Sequence, residues 1–414
     1  MTQALPVPPL HVRTTELQQR PQLIGLADPA HPLVVQRRGE GVVGLGRTLR
    51  WEFRGRRRFA EAAAAWASLI ASATVDDAVG LPGTGLIAFG VFAFSPDSAR
   101  PSVLEVPATV VGVREGRAFL TEISTEPFTA PPVAPRMRPY GAEYRITLLP
   151  GALDGERYEA AVADAIGRIT AGELEKVVLA RDIVGKLPDG ADLRRVLCDL
   201  ALGYADCWTY AVDGLVGASP ETLVEARAGI AHTRVLAGSS ARGADAGEDQ
   251  AAALALATSS KDQDEHRFAV QSALTALRAR AATVTVSEQP FALKLPNLWH
   301  LASDIEAELE PGTTALDLVA ALHPTAAVAG SPTDVATAVI AELEPSDRGR
   351  YAGPVGWVGA HGDGEWAIAL RGAQVDDDGR ITAHAGAGIV AGSNPVQERA
   401  ETAMKFRPIA DAFA

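Results

Sequence analysis

The chain has 414 residues, 47% hydrophobic and 21% charged, which describes a globular protein with a sizeable core and excludes a disordered one. Its formal net charge of −13 argues against nucleic acid or an anionic membrane surface as the main partner. An acidic substrate would have to be met by a few locally placed cations or by a metal ion.

Residues 1–40 are Pro-rich and weakly patterned, which predicts an irregular arm joining the fold through 33–36. The opening MTQALPVPPLHVRTT has neither the basic nor the apolar region of a signal peptide, so none is expected. Strands are expected within 41–53 and an Ala-rich helix over 58–71. The basic cluster Arg54, Arg56, Arg57 and Arg58 reads as a solvated, salt-bridged surface. LPGTG at 81–85 is a turn before a strand over 86–94. Short strands within 102–114 and 118–123 predict an antiparallel sheet rather than βαβ units. The Pro-bearing stretch 127–149 then crosses between two halves. The domain reading is an arm (1–40) and a single domain (41–414). That domain comprises an N-terminal part (41–126), a linker (127–150) and a larger part (151–414) that holds the chemistry.

A helix is expected over 155–171, with Tyr158, Val162, Ile166 and Ile169 on its apolar stripe and Gly172 closing it. The strand 174–184 places Lys176 on the same face as Leu174, Val178 and Ala180. Such a lysine is either an edge residue that snorkels to water or a buried amine whose charge is disfavoured. A helix over 192–204 follows, with Cys198, as core filler, and Leu202 on its apolar side. Strands 207–212 and 215–218 lead into Ser219-Pro220-Glu221. There Pro220 marks an edge or a break, and Glu221 reads by default as a solvent-facing strand residue. VLAGSS at 235–240 is a short turn, and 246–282 predicts one long helix with Asp262, Asp264 and Glu265 on its surface. His323 follows a helix over 316–322 and reads, by itself, as a capping or packing residue.

The last part predicts a meander of strands 355–360, 365–375 and 380–390. Arg371 alternates with Ala367, Ala369 and Ala373, which leaves its fork the space a carboxylate needs. Gly386-Ala387-Gly388 lets backbone approach a ligand closely. In SNPVQERAETAMKF, residues 393–406, Ser393 or Asn394 can cap a helix and Pro395 suits its first turn. Glu398, Glu401 and Lys405 fall at i, i+3 and i+7, on one face. By spacing alone this is a solvated stripe with a Glu401–Lys405 pair.

Nucleotide, zinc-hydrolase and serine-hydrolase motifs are absent. The two cysteines, Cys198 and Cys207, give no disulfide framework, and no apolar run reaches membrane-span length, so a cytoplasmic location is expected. In order along the chain, GLIAFGVFAF, LEKVVLAR, GASPETLVEA, VLAGSSARG, SSKDQDEHRF, HPTAAVAG, AIALRGAQV, AGAGIVAGSNP and the final helix resemble the chorismate-utilising enzymes. Within that family they are most similar to the isochorismate synthases. The resemblance covers residue 85 to the end.

It implies an α+β fold of two large packed antiparallel sheets flanked by helices, with a Mg²⁺-dependent cleft. It implies Lys176 as general base on water and Glu221 as general acid on the departing C4 hydroxyl of chorismate, with water adding at C2. Glu265 and Glu401 match magnesium ligands, and Glu398 completes the shell. Arg371, Lys405, Gly386 and Gly388 would meet the substrate carboxylates. Ala237, Gly238, Ser239 and His323 match positions lining the ring. Anthranilate synthases carry glutamine at the position of Lys176, and aminodeoxychorismate synthases carry lysine at that of Ala237, so this chain has the water-using combination. Salicylate synthases share both residues but lack the His-Pro-Thr of HPTAAVAG. Asn394 departs from the aspartate of many relatives, and either residue can cap. The reading from another class is a chorismate binder without turnover, against which the intact set Lys176, Glu221, Glu265 and Glu401 argues. The partner implied is chorismate alone, without nucleic acid, membrane or glutaminase subunit, for a monomer or small homo-oligomer.

Overall fold

The computed structural model describes residues 8–296 and 298–414. Strands such as Ile87–Val91, Trp208–Val212 and Leu215–Ser219 are buried at every position, so their apolar residues run on without alternation. They build two sheets. Across the first, the order is Leu149–Pro150, Lys176–Lys186, Arg380–Ile389, Gly372–Val375, Leu215–Ser219, Trp208–Val212, Leu33–Arg37, Glu40–Leu45, Thr109–Arg114, Arg117–Ser124, His11–Leu17 and Thr74–Asp77. Across the second it is Ala281–Val286, Leu298–Leu309, Ile230–Ala241, Thr222–Arg227, Gly364–Ile368, Pro354–Gly359, Ile87–Val91, Ser102–Val106 and Leu49–Phe53. Neighbours pair antiparallel, with His11–Leu17 on Thr74–Asp77 the parallel exception. The α+β expectation of two large antiparallel sheets flanked by helices holds.

Several local expectations are corrected. The N-terminal arm is not irregular: His11–Leu17 pairs with Arg117–Ser124 along its whole length, and Leu33–Arg37 pairs on both sides. Alternating burial of Val12 and Thr14 is what the proline-rich composition obscured. The long helix is two, Ala246–Thr258 and Ser260–Arg278, broken at Ser259, whose hydroxyl accepts from Asp262 N and caps the second. Leu202 is 82% exposed, and Arg58 is buried, donating to the carbonyls of Ala93 and Phe94. Strands from both sides of 127–149 contribute to both sheets.

The predicted meander is split. Gly364–Ile368 belongs to the second sheet and Gly372–Val375 to the first, so the chain changes sheets at 369–371. It makes the opposite change at 220–221, between Leu215–Ser219 and Thr222–Arg227. The two crossings lie side by side: Ile368 N donates to Glu221 O at 3.1 Å, and Ala218 N to Arg371 O at 3.3 Å. Pro220 fits because it donates no ladder bond at the break. These two crossings stitch the packed sheets together beside Glu221 and Arg371.

The final helix, Pro395–Phe413, begins as expected, with Asn394 Oδ1 accepting from Val396 N and Gln397 N. It buries Phe406, Ile409 and Phe413, each worth roughly 1.5–3 kcal/mol against exposure. Arg181 Nε donates to Thr402 Oγ1 at 2.7 Å and fastens the helix to the strand that carries Lys176.

Candidate active site

Glu221 and Arg371 sit at the two sheet crossings, and both are buried. Arg371 has a φ of 53°, rarely adopted outside glycine and held here by the crossing. Burial, the largest influence, pushes the Glu221 carboxyl up to about 7, against the weaker pull of the Leu236 backbone, Arg371, Lys176 and Lys405. The sequence default of a solvent-facing glutamate is therefore overturned, because the segment passes between the sheets instead of running along an open face.

The expected turn at 235–240 is a bulge inside the strand Ile230–Ala241, where the pairing to Leu298–Leu309 shifts between Leu236 and Ser239. Gly238 has a φ of 80°, and a Cβ there would stand 3.0 Å from Asp262 Cβ. Two histidines hold the carbonyls that the bulge frees. His266 Nδ1 lies 3.2 Å from Ala237 O, while its Nε2 meets Ser303 Oγ at 2.8 Å. His300 Nδ1 lies 3.2 Å from Gly238 O and 3.0 Å from Ser239 Oγ, and its Nε2 faces Arg371 Nη2 at 3.3 Å. Burial lowers both imidazoles, His266 to about 4, so each is neutral with its proton on Nδ1. Neither histidine is in the sequence-derived set. His266 follows Glu265 directly and His300 lies in LWHLAS, but an isolated histidine carries no periodic signal of its own.

Lys176 is wholly buried, so it does not snorkel to water. Its Nζ lies 3.1 Å from Glu265 Oε1, at an angle that leaves it without a well-aligned hydrogen bond. The far edge of its strand is finished by side chains. Glu344 Oε1 accepts from Ala180 N at 2.7 Å, and Arg348 Nη2 donates to Val178 O at 2.7 Å. On the other edge Val178 and Ala180 pair with Gly388 and Gly386. A Cβ on Gly388 would stand 2.2 Å from Glu265 Oε1, so only glycine lets that carboxylate lie over the strand. At Gly386 it would meet Leu179 O at 2.9 Å.

From the final helix, Glu398 is buried and Lys405 Nζ reaches Glu401 at 2.5 Å and Gly386 O at 2.9 Å. The i,i+4 pair expected on a solvated stripe exists, but on the face turned inward. Glu221, Ala237, Gly238, Ser239, Glu265, Arg371, Gly386, Gly388 and Lys405 line one cleft, with a cavity of about 50 Å³. Val178, His300, Val328 and Tyr351 are among its other walls. Lys176 lies just behind Glu265. His323 is the correction: it closes the helix Ala315–Leu322, its Nε2 meets Phe94 O at 2.9 Å, and its ring stands edge-on to Phe94, away from the cleft. Its local reading as a packing residue is the one the geometry bears out.

Glu265, Glu398 and Glu401 are hard oxygen donors of the kind magnesium takes. Asp262, one turn before Glu265, joins them. Burial raises Asp262, and so do the charges of Glu265 and Glu401. Glu398 is raised by burial and then by Glu401. Burial, the largest influence, would raise Glu265 too, but Lys176, then Lys405 and Lys261, together hold the carboxyl below its usual range. Among the described residues no three such groups already converge as a cage. Each glutamate instead faces an ammonium: Glu265 faces Lys176, Glu401 faces Lys405, and Glu398 faces Lys261 at 2.9 Å. The donors are of the kind a divalent cation takes, and three of the four carboxylates each face an ammonium.

The sequence pattern described as "Chorismate binding enzyme" matches residues 142–414, about two thirds of the chain. The chain belongs to the chorismate-binding enzyme family. This chorismate-binding enzyme is 39% identical to the isochorismate synthase DhbC of Bacillus subtilis (strain 168) over 285 residues, 66% of this chain and 71% of that one. It is 36% identical to the isochorismate synthase EntC of Escherichia coli (strain K12) over 261 residues, 62% and 66% of the two chains. The structure of MenF, the menaquinone-specific isochorismate synthase from Escherichia coli, superposes with a TM-score of 0.78 at 25% identity, covering 99% of this chain and 95% of that one. No helix among the described residues is long and apolar enough to cross a membrane.

Proposed function

We propose that the protein is an isochorismate synthase, converting chorismate to isochorismate by adding water at C2 as the C4 hydroxyl departs. The observation that carries this reading is Glu221, a buried carboxyl held at about 7 in the cleft and so able to keep its proton at neutral pH. Glu221 gives that proton to the leaving hydroxyl oxygen. Lys176, on the strand beside Glu265, first gives up its ammonium proton to solvent, and the neutral amine then takes a proton from the attacking water. The ring double bonds shift between the two events, and one water enters for each that leaves. The names of the relatives support the same reaction for this chain.

Arg371, with Nη2 already oriented by His300, and Lys405 supply the cations that an acidic protein needs for a dianionic substrate. Glu265, Glu398 and Glu401 would hold Mg²⁺, which when bound neutralises a substrate carboxylate. The reaction needs no second protein, and a cytoplasmic location suits it.

Incubation of the pure protein with chorismate and Mg²⁺, followed by product identification, tests the reading. Isochorismate as sole product is expected. Salicylate with pyruvate would make the protein a salicylate synthase, ammonia-dependent anthranilate would make it an anthranilate synthase component, and binding without turnover would leave a chorismate binder.

A further inference from the structure

Three lysines face the three glutamates, but they are not equivalent. Lys176 is wholly buried, and Lys405 is anchored a second time by Gly386 O. Lys261 has 36% of its side chain exposed, while the Glu398 carboxylate it contacts has 3%. Glu398 is its one hydrogen-bond partner among the described residues. Its position is also unfavourable on local grounds. Lys261 is the second residue of the helix Ser260–Arg278, where the helix dipole disfavours a cation. Its ammonium is held there by the Glu398 carboxylate of the final helix, 2.9 Å away. Glu398 is bound to a cation for the complementary reason: a carboxylate so deeply buried is costly to leave without an opposite charge.

We propose that Lys261 is an exchangeable counter-ion: it occupies Glu398 while the site is metal-free and swings into solvent when a divalent cation takes that carboxylate. The inference rests on the magnesium reading and adds a residue that sets the cation's affinity. It also explains why the carboxylates do not converge on one another, since each is turned to its own ammonium. Lys261 can leave without disturbing the core, because its stem already reaches the surface. Lys176 and Lys405 have no such route.

The test is titration calorimetry of Mg²⁺ into the full-length protein without substrate, for wild type, Lys261→Met and Lys261→Arg. Removing one competing positive charge beside the site should tighten Mg²⁺ binding roughly tenfold in Lys261→Met, and Lys261→Arg should stay near wild type. Amine acetylation read by mass spectrometry supplies the second measurement, with Lys261 in the wild type labelling faster once Mg²⁺ is added. Equal affinity in wild type and Lys261→Met, with Lys261 labelling unchanged by Mg²⁺, overturns the proposal and leaves magnesium binding standing. No Mg²⁺ binding in any of the three proteins overturns the magnesium reading and the proposal with it.

Discussion

Glu221 shows how much one residue's surroundings decide. Unfolded, it titrates near 4.5; folded, near 7. The folded state therefore binds this proton more tightly, so the contribution of Glu221 to stability is fully present below pH 4.5 and is lost as pH rises through about 7. The loss amounts to roughly 3 kcal/mol. Glu221→Gln should thus abolish turnover yet stabilise the fold at pH 8 by an amount of that order, measured by urea unfolding. Wild-type turnover should decline as pH rises through about 7, because the acid is then deprotonated; a rate still rising there would remove Glu221 from its role. The motif around Glu221 was legible in the sequence through family resemblance. Its burial was not, because a strand glutamate beside proline has no local mark that says the chain is changing sheets.

At the scale of elements, the bulge at 237–238 and Lys405 of the final helix both line the cleft. The bulge is a backbone feature, and its geometry depends on His266 and His300 accounting for two carbonyls that the ladder gives up. His266→Ala should cost about 1–3 kcal/mol through the unpaired Ala237 carbonyl and raise the KM for chorismate more than it lowers kcat. Thermal melts and steady-state kinetics check both parts.

The final helix was legible in its cap, its first proline and its Glu398–Glu401–Lys405 spacing. Which way that face points was settled by tertiary packing, through Arg181 on Thr402 and the burial of Phe406. Glu401→Gln should raise the Mg²⁺ concentration needed for half-maximal activity at least tenfold, while the melting temperature moves by only a few degrees. A large loss of stability with unchanged Mg²⁺ dependence would return that face to a purely structural role. Arg371 and the break at Ser259 illustrate the other limit of sequence patterning. Alternation and helical periodicity continue through both positions, and only the sheet change and the capping hydroxyl interrupt them.

Across the whole molecule, the site lies at one of the places where the two sheets exchange chain. Adjacent crossings supply Glu221 and Arg371, the first sheet supplies Lys176 and the Gly386–Gly388 backbone, and the second supplies the bulge. Helices bring the carboxylates. Residues distant in sequence thus converge without a long loop of their own, which is why no single stretch revealed the site while nine short ones in order did. His323, correctly placed in its motif, still falls outside the cleft, since order along the chain does not fix which side of a helix end a ring turns to.

The most direct test of this arrangement is to run the reaction in H₂¹⁸O and locate the label in the product. Water activated beside Lys176 and hydroxyl loss assisted by Glu221 predict one ¹⁸O per isochorismate, at C2. An isochorismate carrying no solvent oxygen would mean that the C4 hydroxyl itself migrates, and would contradict the account.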